Sequence, residues 1–455
     1  MGRWGIYLFS GGLYTALFYA TDRTNFVQLI SIWMLLSALY AYILYQEKAW
    51  QYTILQETTA TWSKGIYELV GCAIVFRLIA LFALPELSDD YFRFVWDGRL
   101  LGNGVNPFDQ LPQAYLSDRA YMEQLGLSEA LYDNLNSKEY FTIYPPVCQF
   151  VFWLSCQLFP HSIYASVICM KAFIFVAECV SLASILYLLQ HWKYPLSLIA
   201  VYGLNPLVII ELNGNLHFEA FMICFLLLAM VLWVRNQWMW AAVPFALAVC
   251  SKLLPLMLLP LMIPRLGLVK SIVFGLLVGA GMLICSLPIF NPTTLQNLME
   301  SVSLYFQYFE FNGSIYYVLR WAGFQLWGFN MIQLIGRLLI IISFLGILTI
   351  SWGERNATWR STPIRMLWIF SLFYALSTTV HPWYGTTLVM FCTFAGFRYP
   401  VLWAILLPLT YSAYIGEVYE EQLWLVGIEY IGVYALCIYE FIKMSKQPNS
   451  FLNLS

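Results

Sequence analysis

The chain has 455 residues, of which 61% are apolar, 18% aromatic and only 11% charged. Soluble globular chains carry roughly 25% charged residues, so this sequence lacks the polar surface to coat water-soluble domains of its length, and a mean hydropathy of +0.69 excludes a disordered chain. With 23 basic against 25 acidic residues and a net charge of -2, no basic face exists to draw in nucleic acid, and the composition is that of an integral membrane protein.

Apolar runs of the roughly 17–25 residues that span a bilayer recur from end to end. They are predicted near 4–20, 27–46, 66–84, 144–159, 164–190, 196–212, 218–234, 240–263, 270–289, 326–350, 365–380, 384–397, 400–415 and 424–442. The first follows a single Arg3 and no small-residue cleavage site follows it, so it reads as a span that stays. Several runs are too short to cross straight, which sets the expectation at about 11 to 14 spans in an all-α, polytopic transmembrane bundle. No internal repeat is apparent. The ten cysteines sit singly inside apolar runs without a C-x-x-C pair, and read as small core side chains.

Between the third and fourth runs the chain turns hydrophilic. Residues 85–143 hold ten acidic residues and four basic ones, and a loop of this length is expected to carry function through amphipathic helices at the membrane surface. Lys48, Lys64, Arg265, Lys270, Arg355, Arg360, Arg365, Lys443 and Lys446 mark basic ends. If these are cytoplasmic, then the acidic loop, the connection 290–325, the His381 turn and the acidic turn Glu417, Glu420, Glu421 face the other side. Asn213–Glu219 joins them only if one short run, with 144–159 the choice, dips into the membrane without crossing. Residues 1–290 are expected to form a membrane-embedded catalytic module that includes the loop, and 291–455 a second module that positions lipid donor and acceptor.

The densest constellation opens that loop, as Ser88-Asp89-Asp90-Tyr91-Phe92-Arg93-Phe94-Val95-Trp96-Asp97-Gly98-Arg99 and then Gly102-Asn103-Gly104-Val105-Asn106-Pro107-Phe108. On a helix, Asp90, Arg93 and Asp97 share one face. This is either an ion-pair network on a surface helix or a carboxylate placed beside the membrane as a general base for a hydroxyl. Further along, Asn213-Gly214-Asn215-Leu216-His217-Phe218-Glu219 lies at a span mouth, where an ionisable residue is a functional candidate. Lys252 interrupts an apolar run ahead of Pro255, Pro260 and Pro264, and suggests two half-spanning pieces beside a cavity. Arg77 is also intramembrane, and Lys171 with Glu178, two turns apart, reads as a structural ion pair. Phe309-Glu310-Phe311-Asn312-Gly313-Ser314 and Val380-His381-Pro382-Trp383-Tyr384 complete the set. A cationic side chain there suits a phosphate, and the ring faces suit the apolar face of a sugar. Asp89-Asp90 offers oxygen ligands to Mg²⁺ or Mn²⁺ but not a complete site, and no nucleotide-binding glycine loop is present.

In this order the stretches SDDYFRFVWDGRLLGNGVNPF, YPPVCQFVFWL, NPLVIIELNGNLHFEAFMI, LAVCSKLLPLMLLPL, FNGSIYYVLR and HPWY resemble the polytopic GT-C glycosyltransferases, in particular bacterial mannosyltransferase-like members that use a polyprenyl-phosphate sugar. The likeness covers roughly residues 66–390. It implies an essential acidic residue at Asp89 or Asp90 and an inverting transfer of a sugar, with mannose foremost, to a glycan, glycolipid or protein acceptor. It also implies an active site on the non-cytoplasmic face, in the plasma membrane if the chain is bacterial. Arg93, Arg99, Lys252 and His381 are then candidates to stabilise the leaving phosphate, Asp97 orients Arg93, and His217, Glu219, Asn312, Trp383 and Tyr384 are substrate-binding candidates. A transporter or flippase of lipid-linked saccharides, or a polytopic glycan ligase, is the alternative.

Overall fold

The computed structural model describes residues 2–49, 61–354, 356–415 and 419–445; Arg355, Glu417 and Lys446 lie outside the described residues. Regular structure among them is helical, apart from one isolated bridge between Phe311 and Thr379. Among the described residues five helices are long and apolar enough to cross a bilayer: Phe26–Gln46, Ile163–His191, Leu268–Ser286, Ile332–Trp352 and Leu423–Ser445. A sixth span forms if Leu196–Gly203 and Pro206–Gly214, bent by 53°, are taken together. The bend falls at Asn205-Pro206, where proline has no N–H to continue the first piece. The expected runs 4–20 and 66–84 form the 18-residue helices Arg3–Ala20 and Lys64–Leu81, and others form shorter helices, among them Pro146–Leu158, Glu219–Val234, Trp238–Ser251 and Thr362–Leu376. At 1.5 Å per residue these span about 20–24 Å, less than a hydrocarbon core of about 30 Å.

The first helices show how the two ends of the bundle are set. We label Arg3–Ala20 α1, Phe26–Gln46 α2, Lys64–Leu81 α3, Asp90–Gly102 α4, Pro146–Leu158 α5 and Ile163–His191 α6. Arg3 pairs with Glu47 and, at 3.7 Å, with Glu68, which gathers the start of α1, the end of α2 and the start of α3. At the other end the Tyr19 hydroxyl donates to Ile79 O at 2.9 Å and the Tyr164 hydroxyl to Phe82 O at 3.0 Å. Helix α6 therefore starts where α3 finishes.

Helix α5 is 13 residues long. It lies along α4, with Gln149 Nε2 donating to Asp97 Oδ2 at 2.9 Å and Gln157 Nε2 to Gly102 O at 2.9 Å, and it hands the chain to α6 at the same end. The Leu87 N–H donates to Asn215 Oδ1 at 3.3 Å, so Asn213–Glu219 stands at the end of the bundle where the acidic segment begins.

Close approach of α4 and α5 depends on Gly98, where a Cβ would stand 2.5 Å from Phe152 O and 2.7 Å from Cys156 Sγ. The obstacle is partly backbone and cannot rotate away. Gly98→Ala is expected to cost about 1–3 kcal/mol, read as a lower melting temperature of the purified protein in detergent.

The charged groups Arg77, Glu178 and Lys171, buried among the helices, are paired, as an apolar surrounding requires. Arg77 and Glu178 are fully buried. Arg77 Nε and Nη2 donate to Glu178 Oε2 at 3.0 and 2.9 Å, Arg77 Nη1 donates to Gly203 O at 2.7 Å, and the Tyr202 hydroxyl donates to Glu178 Oε1 at 2.6 Å. Lys171 donates to the carbonyls of Ala80, Ala83 and Gly214 at 2.7, 2.5 and 3.1 Å. The expected Lys171–Glu178 pair is thus replaced by two separate arrangements. The planar guanidinium grips the carboxylate from a neighbouring helix, and the lysine ties the end of α3 to the end of the bent segment. All ten cysteines are free thiols, buried or half-buried.

Candidate active site

Turns from distant parts of the chain meet at the end where α4 begins. Asn106 Nδ2 donates to Ile289 O at 2.8 Å, Asn291 Nδ2 to Asp109 Oδ1 at 2.8 Å and Ser301 Oγ to Phe141 O at 3.1 Å, which binds the acidic segment to the connection after 290. The N–H of Phe311 donates to Thr378 O at 3.2 Å and that of Val380 to Phe311 O at 2.8 Å, which joins this connection to the His381 turn. The motifs picked out along the sequence therefore belong to one place.

Adjacent Asp89 and Asp90 have different surroundings. Asp89 Oδ2 is 2.6 Å from Arg23 Nη2, and the Arg23 guanidinium lies 5.4 Å from the centre of the Tyr414 ring. Asp90 is half-buried and accepts a hydrogen bond at 2.7 Å from the exposed Asn136 side chain. Among the described residues it has no ion pair. Its charge acts on Lys252, Tyr144 and Tyr414.

Three other loop candidates brace the loop itself. Arg93 Nε donates to Asp97 Oδ1 at 2.8 Å with both side chains buried, and Arg93 Nη1 donates to the carbonyls of Ser137 and Tyr140 at 3.0 Å. Asp97 thus pairs with Arg93, and Arg93 lies inside the fold. Arg99 Nη1 donates to Gly126 O at 2.5 Å. Desolvation lowers its pKa, without taking an arginine out of its charged form near neutrality.

Across from the acidic pair, rings stack in series. His217 lies 3.8 Å from Trp383, Trp383 lies 4.4 Å from His381 at 4° between planes, and His381 lies 5.0 Å from Phe311, all measured between centroids. Burial, reinforced by the positive charge of Lys252, pushes His381 down to about 3. The ring is therefore neutral near pH 7, not the phosphate-binding cation expected, and what it presents is a flat face. Lys252 pairs with Glu219 and holds its ammonium 4.1 Å from the centre of the Tyr384 ring. Helix Trp238–Ser251 ends at this lysine, whose backbone is extended at φ -161° and ψ 132°, consistent with the expected interruption of the run.

Asn312 is fully buried in a left-handed backbone conformation with φ 49°, which asparagine tolerates. Its side chain donates to Glu429 Oε1 at 3.0 Å and its N–H to Glu421 Oε1 at 2.6 Å, so it anchors the turn beside the site.

Sequence reasoning missed Arg23, Asn136, Glu211 and Tyr411. Arg23 lies in the short polar turn Asp22-Arg23-Thr24-Asn25 between two spans, a visible signal for a residue at a membrane surface. Glu211 sits inside an apolar run, and an isolated intramembrane carboxylate was the signal there. Among the described residues no three His, Cys, Asp or Glu side chains stand close enough to hold a metal ion, and Asp89 is engaged by Arg23.

No curated protein matches this chain. Residues 12–267, more than half of the chain, match the family model described as alpha-(1->6)-mannopyranosyltransferase, N-terminal domain. That stretch contains the second half of α1, Arg23, the acidic pair, the His217 turn and Lys252. An integral membrane protein with this constellation at one end of its helices, matched over this length, belongs to the alpha-(1->6)-mannopyranosyltransferase (MptA/B) family of GT-C type mannosyltransferases, glycosyltransferases that take a sugar donor and a glycan acceptor.

Proposed function

We propose that this enzyme moves mannose from a polyprenyl-phosphate donor to an acceptor hydroxyl at the non-cytoplasmic face, with inversion at the anomeric carbon and Asp90 as the base. The observation that carries this reading is the contrast between Asp89, held by Arg23, and Asp90, open and within reach of the charge of Lys252. The acceptor hydroxyl gives its proton to the Asp90 carboxylate as its oxygen bonds to the anomeric carbon. The bond from that carbon to the phosphate oxygen breaks, and the lipid phosphate leaves with the electron pair. Lys252 is the cation placed to stabilise that charge, sharing it with Glu219. The stacked faces of Trp383 and His217 suit the apolar side of the sugar, and a donor that arrives through the bilayer needs no nucleotide fold. The α-1,6 linkage in the family's name is our choice for the bond formed. Residues 291–455 position lipid and acceptor. If turnover falls in EDTA, Asp90 is the carboxylate of the pair left open to a Mg²⁺ or Mn²⁺ ion.

We further propose that the shorter apolar helices enter the bilayer beside the five or six long ones, for about 11 to 14 passes, in a plasma membrane if the host is bacterial. The test of the reaction is transfer of labelled mannose from synthetic polyprenyl-phosphate mannose by the purified protein. Sidedness is tested with Ser117→Cys, an exposed position of the acidic segment. Right-side-out vesicles are expected to label with a membrane-impermeant maleimide, and labelling confined to inside-out vesicles would place the site on the cytoplasmic face.

A further inference from the structure

Glu211 is fully buried, in a π-helical turn over Ile209–Gly214 that ends the bent segment. Such turns recur where a backbone is shaped for function. Four groups converge on its carboxylate and main chain. The Tyr411 hydroxyl donates to Oε1 at 2.7 Å, and Asn215 Nδ2 donates to Oε2 at 3.2 Å. His217 Nε2 lies 3.4 Å from Oε2, and the His217 N–H donates to Glu211 O at 3.4 Å. The chain makes this return through Leu216, a fully buried leucine at φ 63°. A non-glycine residue in the left-handed region costs of order 1 kcal/mol or more and persists only where its surroundings enforce it. Here they enforce the fold of His217 back over Glu211.

The consequence is geometric. His217 Nε2 is buried, and among the described residues it has no hydrogen-bond partner, its nearest polar contact being the Glu211 carboxylate at a distance longer than a good hydrogen bond. The pair is held by this contact and by the backbone bond from the His217 N–H to Glu211 O. The same ring forms the end of the stack on Trp383. Through Asn215, whose Oδ1 accepts from the Leu87 N–H, the same carboxylate also steadies the chain three residues before Asp90.

We propose that Glu211 is a positioning residue for the sugar donor: it holds His217 flat against Trp383 and so fixes the stacked face on which the mannose lies. This rests on the donor reading given above. Glu211 touches no substrate and acts through His217.

The test is binding of a non-transferable phosphonate analogue of polyprenyl-phosphate mannose to the detergent-purified protein, followed by titration calorimetry alongside melting temperature. Glu211→Gln keeps an oxygen for Tyr411 but replaces the carboxylate oxygen that faces His217 Nε2 and Asn215 with an amide nitrogen. It is expected to weaken binding about tenfold with an unchanged melting temperature, as is His217→Gln. The double variant is expected to be no weaker than either single one, because the two side chains act as one unit. Glu211→Asp, which keeps the carboxyl group but withdraws it by one methylene, is expected to weaken binding as well and serves if the glutamine variant does not fold. Unchanged binding in the Glu211 variants, effects that add in the double variant, or a melting temperature that falls in step with affinity would each overturn the proposal. Absence of binding by the wild-type protein would overturn the donor reading and this proposal with it, whereas binding by wild type and Glu211→Gln alike would overturn the proposal alone.

Discussion

Replacing Asp90 by asparagine is expected to lower mannosyl transfer by about 10²–10⁴-fold, the usual contribution of a positioned general base. The substitution keeps the shape of the side chain and an oxygen to accept from Asn136, so the start of α4 stays in place. What disappears is the group proposed to take the acceptor proton. The companion variant Asp89→Asn removes one partner of a half-exposed ion pair with Arg23, and such pairs are worth up to about 1 kcal/mol, roughly a fivefold effect. A large loss for Asp90→Asn beside a small loss for Asp89→Asn, in protein of equal melting temperature, identifies the base. Equal losses, or a larger loss at Asp89, would reverse the assignment and make Arg23 part of the chemistry. The comparison is sharp because the two residues are adjacent and chemically identical, and differ only in what stands beside them.

Arg77→Met is expected to produce the largest loss of stability. The arginine is fully buried and its guanidinium is matched by Glu178 and by the carbonyls of Ala73 and Gly203. Removing it leaves the Glu178 carboxylate in an apolar interior with Tyr202 as its remaining donor. Breaking a buried pair from one side costs about 3–5 kcal/mol, whereas replacing both partners by apolar groups of similar size is often close to neutral. Arg77→Met should therefore melt well below wild type in detergent, and Arg77→Met with Glu178→Leu should recover most of the difference. The protein that remains folded is expected to transfer mannose normally, since the pair lies inside the bundle. Loss of transfer in the rescued double variant would show that this network reaches the site.

The acidic segment and the motifs that build the site were legible because charge is scarce. In a chain with 11% charged residues, Asp89-Asp90, His217, Glu219 and Lys252 stand out against apolar runs, and the family resemblance they carry agrees with the matched family model. What could not be read was partner choice. Spacing along a helix paired Lys171 with Glu178, but the guanidinium of Arg77, more than 100 positions away by the hydrogen bond it makes, reached the carboxylate first. Loop spacing put Arg93 and Arg99 on offer to a phosphate, yet both are spent on the loop's own backbone and, for Arg93, on Asp97. Run length was a poor guide to helices where proline or a lone polar residue divides a run, as at Asn205-Pro206 and at Lys252.

By itself the sequence determined that the chain is helical, lives in a membrane and gathers its exceptional charges into a few stretches, because hydrophobic burial and backbone hydrogen bonding in lipid leave no other course. It also carried the family. The tertiary structure alone decided which of two neighbouring aspartates is free, since Arg23 reaches Asp89 from the turn before α2. It alone brought Glu211 beneath His217 and set Trp383 against that ring. Such choices depend on distances of a few ångströms between residues far apart in the chain, where electrostatic and stacking energies fall off steeply, and no local pattern encodes them.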